Sequence, residues 1–181
     1  LISMLIVGVA WTGVGLHLVP YLRQRGLAPT AAVGAVSVWF LASGVSTLLW
    51  GFSADKLSAW SLLVVAHALR AASITVLLVS DTMPKAYIFA ILQGCADGGL
   101  STLPTVLLSE YYGRQHLGAI YGGVRAMQVM GFALGPLIAG AAFDSTRSYH
   151  DAFLAFLVLS ILATGLVGLA KPPRTVRTAL R

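Results

Sequence analysis

Six runs of this chain are apolar almost without interruption, each about the 20 residues a helix needs to cross the hydrocarbon core of a bilayer. They cover about 2–22, 32–54, 60–80, 86–108, 117–143 and 152–170. A helix on the surface of a soluble protein carries a polar face opposite its apolar one, and these runs have none. Charged residues make up 10% of the chain, against roughly 25% in a soluble domain. The expected fold is therefore all-α and membrane-embedded: a six-transmembrane-helix bundle over 1–170, followed by a basic tail over 171–181.

Glycine supports the same reading. The fifth run holds Gly118, Gly122, Gly123, Gly131, Gly135 and Gly140, and each interior glycine costs a soluble helix about 1 kcal/mol against alanine. Within a membrane small residues instead let helices approach closely. Gly94-x-x-x-Gly98, Gly118-x-x-x-Gly122 and Gly131-x-x-x-Gly135 are candidate crossing points, either within the chain or between two copies. Pro136 lies inside the fifth run and is expected to bend it. Pro20, Pro29 and Pro84 fall at or beyond span ends, where a missing amide does least harm.

The net charge of +6 does not point to nucleic acid, because aromatic-interleaved basic runs are absent. Lys171, Arg174, Arg177 and Arg181 follow the last span, where a basic tail suits an anionic membrane surface. Six crossings put both chain ends on one side. That side carries Lys56, Arg114 and the four tail residues, and the other Arg23, Arg25, Lys85 and Arg147. The positive-inside rule then favours cytoplasmic ends, by a margin that rests on the tail. The single Cys95 has no internal disulfide partner, and no Cys or His spacing suggests a metal. No metal or cofactor is expected. No Ser-His-Asp set, carboxylate pair or phosphate loop suggests an enzyme. The chain starts at Leu1 without a basic leader, so a longer native protein is expected.

Two motifs carry a family resemblance. Gly51, Phe52, Ser53, Ala54, Asp55 and Lys56 close the second span, and Gly131, Gly135, Pro136 and Gly140 mark the fifth. Together they resemble the major facilitator superfamily of secondary transporters, in which a G-x-x-x-D-[RK]-x-G-[RK] loop joins the second and third helices of each six-helix half. Ser58 and Ala59 replace the later glycine and base of that loop. Gln93-Gly94 resembles the tail of a second family motif whose arginine position holds Ala90. Glu110, Arg114 and Gly118 resemble the charged loop between the tenth and eleventh helices.

The resemblance implies one half of the family fold, helices seven to twelve, with both ends cytoplasmic in a plasma or inner membrane. Its partners are then the lipid bilayer, a small solute and a missing N-terminal half, supplied by the same polypeptide or by a second copy. Gly51 would allow close passage of a neighbouring helix, and Asp55 would cap a helix N-terminus. Lys56, Glu110 and Arg114 form either a cytoplasmic gate network or a solvated loop worth about 0–1 kcal/mol.

Charges inside the spans need a reason, because each costs several kcal/mol there. Arg70 and Asp97 are at similar depth on consecutive helices, so they are placed to pair. Arg125 is roughly 7–8 Å from the middle of the fifth span at 1.5 Å rise per residue. The resemblance puts the first, second, fourth and fifth helices of this half around the substrate cavity. That marks Arg125 and Asp97 as cavity groups and Arg70 as a structural partner. Arg125 contacts substrate or a gate, pairs with Asp97, or snorkels. Asp97 either carries a coupling proton or stays ionised and holds helices together. Gln128 shares a helix face with Arg125, and Trp11, Trp39 and His17 line the cavity or belong to core and interface.

The function implied is a proton-coupled or facilitative carrier of a small solute working by alternating access. Arg125 favours an anion. The His17, Leu18, Val19, Pro20, Tyr21, Leu22 sequence and the loop around Arg114 resemble the monocarboxylate and oxalate/formate branch. A drug or metabolite exporter of the same superfamily is the first alternative. A non-transporting six-helix scaffold or assembly protein is the second.

Overall fold

The computed structural model describes residues 1–113, 115 and 117–170, and the tail expected over 171–181 lies outside them. Among the described residues the chain forms six α-helices: α1 (Ile2–Gln24), α2 (Pro29–Ala54), α3 (Ala59–Leu78), α4 (Met83–Tyr112), α5 (Leu117–Thr146) and α6 (His150–Leu169). Five of them are long and apolar enough to cross a membrane. The sixth, α4, is about 45 Å long at 1.5 Å rise per residue, so its polar residues, not its length, set it apart. It carries Gln93, Asp97, Ser101 and Thr102, and its centre is the most enclosed stretch of the bundle, buried without a break from Ala96 to Leu100.

Helix ends follow the local sequence. Pro29 and Pro84 sit in the first turns of α2 and α4, where the missing amide would have had no helical partner. Pro20 does not mark an end as expected. It lies inside α1, one turn before the last residue. Gly26 and Gly113 adopt φ of 87° and 72° after α1 and α4, a conformation that costs glycine nothing.

Neighbours in space are not simply neighbours in sequence. Helix α4 packs against α2 and α3, α1 against α5 and α6, and α3 against α6. The core divides into two apolar layers. One holds Leu18, Leu22, Trp39, Ile74, Leu77, Phe89, Phe153 and Phe156. The other, toward the opposite end, holds Val7, Leu62, Leu63, Ala66, Leu100, Leu103 and Val167. Between them lies a buried polar layer of His67, Arg70, Ser73, Gln93 and Asp97. Outward faces stay apolar, as at Phe40, Leu41, Leu48, Leu49 and Phe52 on α2, and Val129, Met130 and Leu137 on α5. Contiguous exposed apolar surface of this kind suits lipid or a large partner.

Candidate functional site

The polar layer is centred on Asp97. Its Oδ1 accepts a charge-assisted hydrogen bond from Arg70 Nη2. Its Oδ2 accepts from the indole nitrogens of Trp11 at 2.9 Å and Trp39 at 2.6 Å. One carboxylate thus ties four helices, α1 to α4. Arg70 Nη1 reaches the Val7 carbonyl at 3.4 Å. The Ser73 hydroxyl lies 2.8 Å from the Arg70 carbonyl and also bonds Gln93 Oε1. Every group that touches Asp97 is a donor, and neither indole nor guanidinium has an acceptor to offer. A carboxylate fits such surroundings, whereas a carboxylic acid would bring a proton with no acceptor among them.

Two glycines make this contact possible. A Cβ at Gly94 would sit 2.5 Å from the Trp39 carbonyl and 2.6 Å from Ala42 Cβ, and one at Gly98 would sit 2.6 Å from Thr47 N. Without them α2 could not approach α4 closely enough for Trp39 to reach Asp97. The Ser46 hydroxyl bonds the Gly94 carbonyl at 2.9 Å across the same seam.

The α1–α5 crossing is built in the same way. A Cβ at Gly135 would meet Gly13 N and Thr12 Oγ1, each at 2.7 Å, and one at Gly131 would meet Val9 N at 2.8 Å. Pro136 has no amide hydrogen, so the carbonyl four residues earlier, that of Phe132, loses its helical donor. The Thr12 hydroxyl supplies one at 2.9 Å. The crossing also lays Trp11 against Phe132, with ring centroids 5.2 Å apart.

Arg125 does not pair with Asp97, whose cation is Arg70. It lies exposed on α5, its Nη1 donates to Gln128 Oε1 at 2.5 Å, and its guanidinium stands over the Phe132 ring at 5.9 Å. Arg125, Gln128 and Phe132 share one helix face at spacings of three and four.

Several expected cavity residues lie elsewhere. Trp39 is 2% exposed and Asp97 8%, so Trp39 is a core residue and Asp97 presents little surface to a solute. His17 packs on Tyr149 at 4.8 Å, within an aromatic group that includes Phe143 and Phe153. Trp11 is half-buried.

The motif loop also differs from expectation. Gly51 is inside α2, and none of the described helices comes within 4 Å of a would-be Cβ there. Asp55 is the C-cap of α2 and caps no helix N-terminus: α3 starts after Ser58, with no side-chain cap bond. Lys56 and Glu110 are exposed, while Arg114 lies outside the described residues, so a gate network among them is not placed.

Sequence reasoning expected only a bend at Pro136 and did not anticipate Thr12; the amide that proline lacks was the signal that could have found it. The same reasoning placed Trp11 and Trp39 in the cavity or the core without assigning their indole N–H groups, which are what Asp97 uses. Trp50 and Trp60 likewise donate, to the Cys95 and Val167 carbonyls at 2.8 and 2.9 Å. Outside the spans, Arg25 bonds the Leu78 carbonyl at 2.5 Å and the Tyr21 hydroxyl at 2.8 Å, tying α1 to the C-terminus of α3. Lys85 bonds Asp81 at 2.6 Å and holds its carboxyl below the usual range.

A profile described as Major Facilitator Superfamily matches residues 1–180. The efflux pump dotC of Dothistroma septosporum is 28% identical over 144 residues, 80% of this chain and 25% of that protein. Monocarboxylate transporter 12 of Rattus norvegicus is 26% identical over 174 residues, 94% of this chain and 36% of that protein. A triacylglyceride transporter of Mycolicibacterium hassiacum is 30% identical over 88 residues, 49% of this chain and 16% of that protein. The chain thus spans between about a sixth and about a third of the length of these relatives. With a profile match along nearly its whole length and six helices, five of them long and apolar enough to cross a membrane, this chain is an integral, multi-pass membrane protein of the Major Facilitator Superfamily.

Proposed function

We propose that this chain is the C-terminal six-helix half, helices seven to twelve, of a carrier that moves a small organic anion by alternating access, proton-coupled or facilitative. A single observation carries the reading. Of the two arginines within the spans, Arg70 is consumed by Asp97, while Arg125 is exposed on α5 and bonds only the neutral Gln128 among the described residues. An intramembrane cation without a counter-ion is costly. A substrate carboxylate, passing through, would supply that counter-ion. The outward apolar faces of α2 and α5 are then where a second six-helix half packs, and both chain ends are cytoplasmic.

The likeness to monocarboxylate transporter 12 supports an organic acid as cargo. The likeness to an efflux pump, with Val129, Met130 and Leu134 exposed on the same helix as Arg125, supports the second reading, export of a larger apolar solute. The test is uptake of labelled lactate or oxalate, beside dye efflux, by the full-length protein and its Arg125→Ala variant. Loss of carboxylate uptake at unchanged membrane expression is expected. Unchanged uptake in the variant removes Arg125 from the site, and dye efflux without carboxylate uptake favours the exporter.

A further inference from the structure

We infer that the solute bound at Arg125 is a carboxylate carrying an aromatic ring, and that Phe132 and Trp11 select the ring. The inference rests on the proposed role of Arg125 as the anion site and adds the substrate class. Three features on one face support it.

The first is the anion end. The guanidinium is a planar fork of five N–H donors, suited to bidentate pairing with a carboxylate. Gln128 engages one of its nitrogens at 2.5 Å, which orients the fork and leaves its other donors unbonded among the described residues.

The second is what adjoins that end. Phe132 lies one turn beyond Gln128 on the same face of α5, directly beneath the guanidinium, and Trp11 of α1 continues the surface at 5.2 Å with its plane tilted by 44°. Both residues are only partly buried. Aromatic rings prefer offset or tilted partners at such spacings. A short aliphatic acid would satisfy Arg125 and leave this surface uncovered, whereas an arene one or two bonds from its carboxylate would cover it.

The third is rigidity. The Trp11 indole is held by its hydrogen bond to Asp97, and the Phe132 ring packs against it at 5.2 Å. A surface ordered before a ligand arrives raises affinity without any new contact.

The test measures binding of radiolabelled benzoate and radiolabelled acetate to purified, detergent-solubilised full-length protein by scintillation proximity. Benzoate is expected to bind about 3- to 10-fold more tightly than acetate, the size of one or two aromatic contacts. Phe132→Leu should weaken benzoate more than acetate and bring the ratio toward one, and Phe132→Tyr should restore it. Phe132→Leu leaves the hydrogen bond from Trp11 to Asp97 in place, so its outcome does not depend on disturbing the polar layer. Equal binding of the two acids by the parent protein, or a ratio untouched in Phe132→Leu, overturns the aromatic selection while leaving Arg125 as an anion site. Binding of both acids that survives Arg125→Ala, or no binding of either acid to the parent, overturns the anion site and the selection together.

Discussion

Asp97→Asn is the most informative single substitution, because it separates a helix tie from a proton carrier. The side chain keeps its size but loses its charge, and its new amide N–H points at donors. Arg70, 1% exposed, is left as an uncompensated cation. Removing one member of a buried ion pair costs about 3–5 kcal/mol. Part of the two indole hydrogen bonds goes as well, and bonds to a charged group contribute about 1.5–3 kcal/mol each. Taking the ion-pair figure alone, and about 2–4 °C per kcal/mol for a chain of this size, the melting temperature should fall by on the order of 10 °C.

The assay is size-exclusion chromatography of the fluorescently tagged full-length protein after stepwise heating. A second substitution, Arg70→Met, removes the stranded cation, and apolar replacement of a buried pair is often nearly neutral. The double variant should therefore recover most of the loss, a non-additivity expected of residues in direct contact. A proton carrier behaves differently: Asp97→Asn would mimic the protonated state and fold normally, and transport would lose its pH dependence. A melting temperature within about 2 °C of the parent, with transport made insensitive to pH, would refute the reasoning from donor geometry.

Two further substitutions test the α1–α5 crossing. Gly135→Leu drives a side chain into Gly13 N and Thr12 Oγ1. It should cost about 1–3 kcal/mol or more by overpacking and reduce the folded, monodisperse fraction, while Gly140→Leu, with open space around it, should not. Thr12→Val keeps the shape of residue 12 and strips the hydroxyl from the Phe132 carbonyl, at about 1–3 kcal/mol for an unsatisfied buried acceptor, read as a lower melting temperature.

The architecture was legible in the sequence because helical spans announce themselves by length and by apolar residues on every side. The places where helices touch were only half legible. Three small-x-x-x-small patterns look alike on paper. Yet Gly94 with Gly98 and Gly131 with Gly135 lie at close crossings, while Gly118 and Gly122 face open space. Nothing local distinguishes them, since the partner helix decides. The Arg70–Asp97 pair could be anticipated from matched depth on consecutive helices. The indole donors from α1 and α2 could not, because they depend on α4 packing against α2 and on α1 reaching across the bundle. Pro136 did leave a readable trace, an orphan carbonyl at Phe132, but which hydroxyl answers it is a matter of tertiary contact.

Burial explains why the same family of side chains takes two roles here. Arg70 and Arg125 are chemically identical, and both lie in apolar helices. Arg70 is enclosed by α1, α3 and α4, so folding had to supply its counter-ion, and Asp97, held by two indoles, does so. Arg125 is on α5, which is held mainly by its glycine crossing with α1 and packs little on α4. Its charge therefore reaches the surface of the bundle. A charge already satisfied at all times cannot respond to a solute, because a ligand shifts an equilibrium only by its differential interaction with the two states. On the proposed reading, the same rule makes the exposed arginine, not the buried pair, the group that responds to a solute. Asp97 then acts on that site only through Trp11, whose indole it holds.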